Sequence, residues 1–159
     1  MDPFAVLGVP VDLDLDPALL EARYLAASRA CHPDHHAGAD PDARIALLDR
    51  AAAVNNAYRV LRDRWRRAEA IVELRAPGAL ERHKQLPPDF LAEALDLAEE
   101  VAAARGGPDT AALRARVQAM VDADWNALRD AVAAGDFAAA ATTLHKSRYH
   151  RKALQDLFA

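Results

Sequence analysis

The stretch RACHPDHHAG, residues 29–38, gathers a thiol, three imidazoles and a carboxylate within six positions. Two kinds of chemistry could use such a set. Cys31, His32, Asp34, His35 and His36 all carry atoms that bind zinc or iron, and a cysteine beside a histidine has the atoms of an activated nucleophile and its base. Spacing argues against both. A metal shell needs side chains that converge, usually completed by a second ligand pair from another element, and the other histidines, His83, His145 and His150, stand singly along the chain. Adjacency alone does not bring Cys31 and His32 into contact when one of them points into a core, where a cysteine packs as a small hydrophobe. No metal, cofactor or catalytic residue is expected. What remains is a solvated polar loop, and its meaning depends on the elements that hold it.

Those elements read as helices. Ala, Leu, Arg and Glu dominate the 159 residues and no alternating run of β-branched residues occurs, so the expected class is all-α. Asp2-Pro3, Asp16-Pro17, Asp40-Pro41 and Asp136-Phe137 read as helix starts: the aspartate can accept from an orphan backbone N–H, and a proline at the first position loses no hydrogen bond. A short helix over Pro3–Leu7 ends at Gly8. A second, Pro17–Cys31, aligns Leu20, Tyr24, Ala27 and Cys31 in one stripe. A third begins at Pro41 and aligns Leu47, Ala51, Val54, Tyr58 and Leu61, so it packs antiparallel to the second with the polar loop between them. A fourth carries Trp65, Ala68, Ile71, Val72 and Leu74 before Ala76-Pro77-Gly78 ends it.

Beyond residue 75 the pattern resets. Pro87 and Pro88 discourage helix in the residues before them, which makes 76–88 an expected linker. A helix from Asp89 to Arg105 places Leu91, Leu95, Ala98 and Ala102 on one side and ends at Gly106-Gly107. Pro108, Asp109 and Thr110 open a long helix carrying Leu113, Val117, Met120, Val121, Leu128 and Val132, closed by Gly135, and the last helix runs from Phe137 toward Phe158. Two short Gly-containing turns make this an antiparallel three-helix bundle over 89–159.

Charge and cysteine content bound the partners. With 20 basic and 24 acidic residues the net charge is −4, which opposes a general nucleic-acid binder. The four arginines Arg62, Arg64, Arg66 and Arg67 near Trp65 are the local exception, but a short helix spreads them around its circumference. The single cysteine excludes an intrachain disulfide and fits a reducing compartment. No apolar run approaches the roughly 18 residues that span a bilayer, and MDPFAVLG lacks the basic opening of a signal peptide, so the expected location is the cytoplasm, without membrane attachment.

A histidine-proline-aspartate tripeptide between two antiparallel helices, with PFAVLGVP at 3–10 before it, Tyr24 on the preceding helix and NNAYRVL at 55–61 on the following one, resembles the J-domain of co-chaperones that serve DnaK-class ATPases. That resemblance covers residues 1–75. RAEAIVEL at 67–74 and DFLAEALDLAEEV at 89–101 are similar to the HscB family, the J-type co-chaperones of iron-sulfur cluster assembly, in which a J-domain precedes a three-helix bundle. The resemblance implies no covalent chemistry in this chain. It implies that His32, Pro33 and Asp34, with Arg23 and Arg29 steering the approach, engage a DnaK/HscA-type chaperone. It also implies that Leu91, Ala92, Leu95, Asp96, Glu99 and Tyr149 bind an IscU-like scaffold protein. His35 stands where J-domains usually carry lysine, and Ala92 where the family more often has a larger apolar residue. On pattern alone Leu91 and Leu95 read more readily as bundle core than as an exposed patch.

Overall fold

The computed structural model describes residues 1–108 and 110–159; Asp109, expected beside Pro108 and Thr110 at the start of the long helix, lies outside the described residues. Those residues form eight α-helices and one 3-10 turn, with no strand among them, and they divide into two compact units, Met1–Leu74 and Arg75–Ala159.

In the first unit, α1 (Pro3–Leu7), α2 (Pro17–Ala30), α3 (Pro41–Arg62) and α4 (Arg64–Arg75, whose last residue begins the second unit) start where the aspartates direct. Asp2 Oδ1 accepts from the N–H of Phe4 at 2.9 Å, Asp16 Oδ1 from Ala18 at 2.9 Å and Asp40 Oδ1 from Ala43 at 2.8 Å. Each supplies one of the partners that a helix start otherwise lacks. Gly8 stops α1 at φ 64°, a backbone that costs glycine nothing. The core collects Phe4 and Leu7 of α1, Leu20 of α2, Val54, Ala57 and Leu61 of α3, and Trp65, Ala68, Ile71 and Val72 of α4. Leu74, expected on the α4 stripe, is exposed because its position lies away from that face. α2 stops one residue short of expectation, so Cys31 is its C-cap and is buried.

Two devices lock the hairpin of α2 and α3. Tyr24 and Tyr58 stack with ring centroids 4.1 Å apart; Tyr24 donates to Asn55 Oδ1 at 3.0 Å and Tyr58 to Glu21 Oε2 at 2.9 Å, so each ring is tied to the opposite helix. The hydrogen bond to Glu21 is the main reason that Tyr58 ionises above its ordinary value. Arg67 of α4 reaches back, donating from Nε to Leu13 O at 3.0 Å and from Nη1 to Leu61 O at 2.7 Å. It thereby caps α3 and pins the loop before α2. Burial lowers its pKa, opposed by Asp14, Asp12 and Asp63.

The second unit begins earlier than the sequence suggests. Within the expected linker, residues 76–88, lies the one-turn helix α5 (Ala79–Arg82), with Ala79 buried and the Leu80 carbonyl 2.7 Å from His145 Nε2. The two prolines suppress helix only in residues 84–87 directly before them, which leaves room upstream for a turn that packs. The bundle consists of α6 (Pro88–Ala104), α7 (Thr110–Ala133) and α8 (Phe137–Asp156). Leu97 and Val101 meet Leu113 and Val117 of α7 and Ala153 and Leu157 from the end of α8 in one core cluster. The turn between α7 and α8 closes at Gly135, φ 71°, where the N–H groups of Gly135 and Asp136 donate to Val132 O and Ala131 O at 3.1 and 2.9 Å. α8 ends at Asp156, before Phe158, and Arg114 caps it through Leu157 O at 3.1 Å while lying 4.4 Å over the Phe158 ring.

Candidate functional site

The tripeptide is a built turn rather than a loose loop. His32 is extended and caps a 3-10 turn over Pro33–His36, its Nδ1 accepting from the Asp34 N–H at 3.3 Å. Pro33 takes the first position, where its missing N–H is no loss and its fixed φ suits the turn. His35 N–H closes back onto His32 O at 3.1 Å, and His36 Nε2 donates to Ala30 O at 2.9 Å, which ties the turn to the end of α2. The side chains remain presented to solvent: His32 is 57% and Asp34 85% exposed, with Nδ1 3.4 Å from Asp34 Oδ2. Arg23 and Arg29 on α2 are exposed as well. Beside the turn lies a groove of about 330 Å³ lined by Cys31, Pro33, His36, Arg44, Leu47 and Leu48.

This geometry bears on the other chemistries. Among the described residues no group of three or more His, Cys, Asp or Glu side chains is placed to hold a metal ion. Cys31 is buried and His36 Nε2 is engaged with a carbonyl. The arginines around Trp65 diverge: Arg62 lies over Tyr58 at 5.9 Å, Arg64 over Trp65 at 5.2 Å, and Arg67 turns inward to two carbonyls. No helix is long and apolar enough to cross a membrane among the described residues.

The second surface lies on α6, which carries two apolar faces. Ala94, Leu97 and Val101 are buried. At about 100° per residue, Leu91, Leu95, Ala98 and Ala102 form a separate stripe roughly a quarter-turn away, and all four are exposed. Leu91 is 39% and Leu95 60% exposed, so neither is bundle core. Continuing round the helix come Ala92, Asp96 and Glu99, also exposed, which rim the stripe with negative charge. Tyr149 of α8 is 45% exposed. The structure therefore leaves all six of these sequence-selected residues accessible, along with the tripeptide and its two arginines.

One further residue belongs to this surface. Phe90, just inside the start of α6, stands 5.8 Å from the Tyr149 ring and 5.7 Å from the His150 ring, edge-on to both, with Lys146 Nζ 5.2 Å from its centroid. His150 Nδ1 is 2.7 Å from Asp124 Oδ2 of α7, both side chains nearly buried. Phe90 completes the 90, 94, 97, 101 spacing of the buried face of α6, which is the periodic signal that marks it, and the α8 spacing of 146, 149 and 150 marks the side that faces it.

Comparison with known proteins agrees with this two-part architecture. Residues 86–157 match the family model described as the HSCB C-terminal oligomerisation domain. The chain is 31% identical over 157 residues to a co-chaperone protein HscB homolog of Vibrio cholerae serotype O1, covering 96% of this chain and 92% of that one. It is 33% identical over 111 residues to the homolog of Ralstonia nicotianae, covering 69% and 63%. Among solved structures, chaperone HscB from Vibrio cholerae superposes with a TM-score of 0.83 at 28% identity, covering 99% of this chain and 96% of that one. Human co-chaperone protein HscB superposes with the same TM-score at 21% identity, covering 99% and 81%, a likeness of fold alone.

Proposed function

The chain belongs to the HscB family of co-chaperones, and from that premise we propose that it stimulates ATP hydrolysis by a DnaK/HscA-type chaperone and delivers to it an IscU-like scaffold protein of iron-sulfur cluster assembly. The observation that carries this reading is the separation of two presented surfaces: a braced tripeptide turn in one unit and an acid-rimmed apolar stripe in the other. An adaptor needs two such surfaces, because each partner must be engaged while the other is held.

At the first surface the work is positional. The Pro33-centred turn, capped by His32 and tied back by His36, presents the Asp34 carboxylate and the His32 ring in a fixed arrangement. A carboxylate so held pairs with a chaperone arginine, and a charge-assisted contact is stronger than a neutral one. Arg23 and Arg29 favour approach to an acidic surface. ATP is hydrolysed on the chaperone, and this chain supplies no catalytic group. At the second surface Leu91, Leu95 and Tyr149 supply apolar area, with Ala92 beside them, while Asp96 and Glu99 select a partner with a basic margin.

Single-turnover ATPase measurements on a DnaK-type chaperone, with and without this protein and the scaffold, test the reading. Stimulation is expected, increased by scaffold, and lost in His32→Gln while helicity is unchanged. Stimulation by His32→Gln equal to that by the unaltered protein would refute it.

Self-association is the second reading, favoured by the description of the family model over residues 86–157. Pairing two α6 stripes would bring the carboxylates of Asp96 and Glu99 from both copies to one interface, and α6 itself carries no lysine or arginine to offset them. Sedimentation velocity separates the two: a monomer that shifts only when scaffold is added supports delivery, and a concentration-dependent dimer displaced by scaffold supports self-association.

A further inference from the structure

The geometry points to Phe90, held by His150 and Asp124, as the positioning residue that fixes Tyr149 on the scaffold-binding face, an inference that rests on the delivery reading above. Tyr149 is only half covered, and an exposed tyrosine on a helix ordinarily samples several rotamers, whose loss opposes binding. Here its ring meets the Phe90 edge at 5.8 Å and 83°, a favoured arrangement for two aromatics. Phe90 is in turn enclosed from α8. Lys146 lies 5.2 Å from its centroid and the His150 ring 5.7 Å away, and 146, 149 and 150 fall on one face of that helix. His150 is itself anchored to α7 by Asp124 at 2.7 Å, with both side chains about 13–14% exposed.

Phe90 of α6 is thus enclosed directly by α8 and is tied to α7 through His150 and Asp124. Phe90 directly precedes Leu91 and Ala92, so the enclosure also sets the rotation of α6 that turns Leu91 and Leu95 outward. Phe90 need not touch the scaffold to matter. It acts by holding Tyr149 in one orientation before the scaffold arrives, which reduces the ordering cost of association.

A double-mutant cycle tests this on the intact chain, with scaffold affinity measured by calorimetry and chaperone stimulation measured without scaffold. Phe90→Leu keeps apolar volume and removes the ring edge. It is expected to weaken scaffold binding by about tenfold, the upper range for one aromatic pair, with stimulation unchanged and Phe90→Tyr close to the unaltered protein. In a Tyr149→Ala background the same Phe90→Leu change is expected to cost less than about twofold, because its effect runs through Tyr149. Equal penalties in the two backgrounds overturn the inference and leave the delivery reading standing. Absence of scaffold binding by the unaltered protein overturns both. Nuclear magnetic resonance gives a partner-free check: Phe90→Leu must shift the Tyr149 ring protons, and unmoved resonances refute the positioning role. If Phe90→Leu unfolds the bundle, His150→Asn, which keeps a donor toward Asp124 and removes only the ring, takes its place in the same cycle.

Discussion

Leu95→Ala separates an exposed interface residue from a core residue, and the structure predicts the size of both effects. The substitution removes about three methylene equivalents, worth about 0.8 kcal/mol each when fully buried, or about 2.4 kcal/mol in all. Leu95 is 60% exposed in the free protein, so folding realises about two fifths of that, about 1 kcal/mol. In a unit of this size that lowers the melting temperature by roughly 4–8 °C. Leu97, two residues on and only 6% exposed, provides the internal control. Its truncation leaves a cavity among Val101, Leu113 and Val117 and is expected to cost about 3–5 kcal/mol, more than twice the loss at Leu95. Scaffold binding should rank the opposite way. An interface anchor truncated to alanine typically costs about 2 kcal/mol, roughly thirtyfold in affinity, whereas folded Leu97→Ala retains the exposed stripe. Differential scanning calorimetry and titration calorimetry on the same two variants, with chaperone stimulation measured in parallel, decide the matter. A Leu95→Ala protein that melts as early as Leu97→Ala, or that binds scaffold with unaltered affinity, refutes the assignment of this face.

Asp34→Asn keeps the backbone cap and the size of an 85% exposed side chain, so it should melt like the unaltered protein yet lose chaperone stimulation; retained stimulation at low salt shows that the charge is not the contact. Arg67→Ala removes two hydrogen bonds from a cation to carbonyls, about 1.5–3 kcal/mol each before relaxation, and urea unfolding should show the first unit destabilised by about 2–4 kcal/mol. Arg67→Lys should restore only part of this, since one ammonium does not reproduce the planar fork, and an unchanged urea midpoint for Arg67→Ala refutes the capping role. Of the three tyrosines, Tyr58 should ionise at higher pH than a free tyrosine because its O–H donates to Glu21. A group whose folded pKa lies above its unfolded one stabilises the fold below the unfolded value, here about pH 10, and that contribution disappears as pH rises through the folded value. Ultraviolet titration of Glu21→Ala, which removes the acceptor and its charge together, should return Tyr58 toward the ordinary range; a Tyr58 delayed as much as in the unaltered protein would assign the delay to burial instead.

Much of the first unit could be read from local rules. Three aspartate caps, the glycine stop after α1 and the Leu20–Tyr24 and Val54–Leu61 spacings need only neighbours within a turn or two, and the structure realises them, as it does the Asp136 cap of the second unit. Local rules stop where a residue's fate depends on what approaches from afar. The prolines of 76–88 read as a linker, whereas the contact of Leu80 with His145, 65 positions away, leaves no local signal.

The sequence by itself determined the class, the helix starts and the tripeptide turn, since capping, proline geometry and 3.6-residue periodicity act over a few residues of backbone. It also marked Leu91, Leu95, Ala98 and Ala102 as one stripe of α6, but periodicity is blind to which of two apolar stripes meets the bundle. Only the tertiary structure decided that Ala94, Leu97 and Val101 face Leu113 and Val117, leaving the other stripe to solvent. It likewise brought Tyr149 and His150 against Phe90, and Asp124 against His150, because contacts between helices depend on their relative rotation, which no single helix encodes.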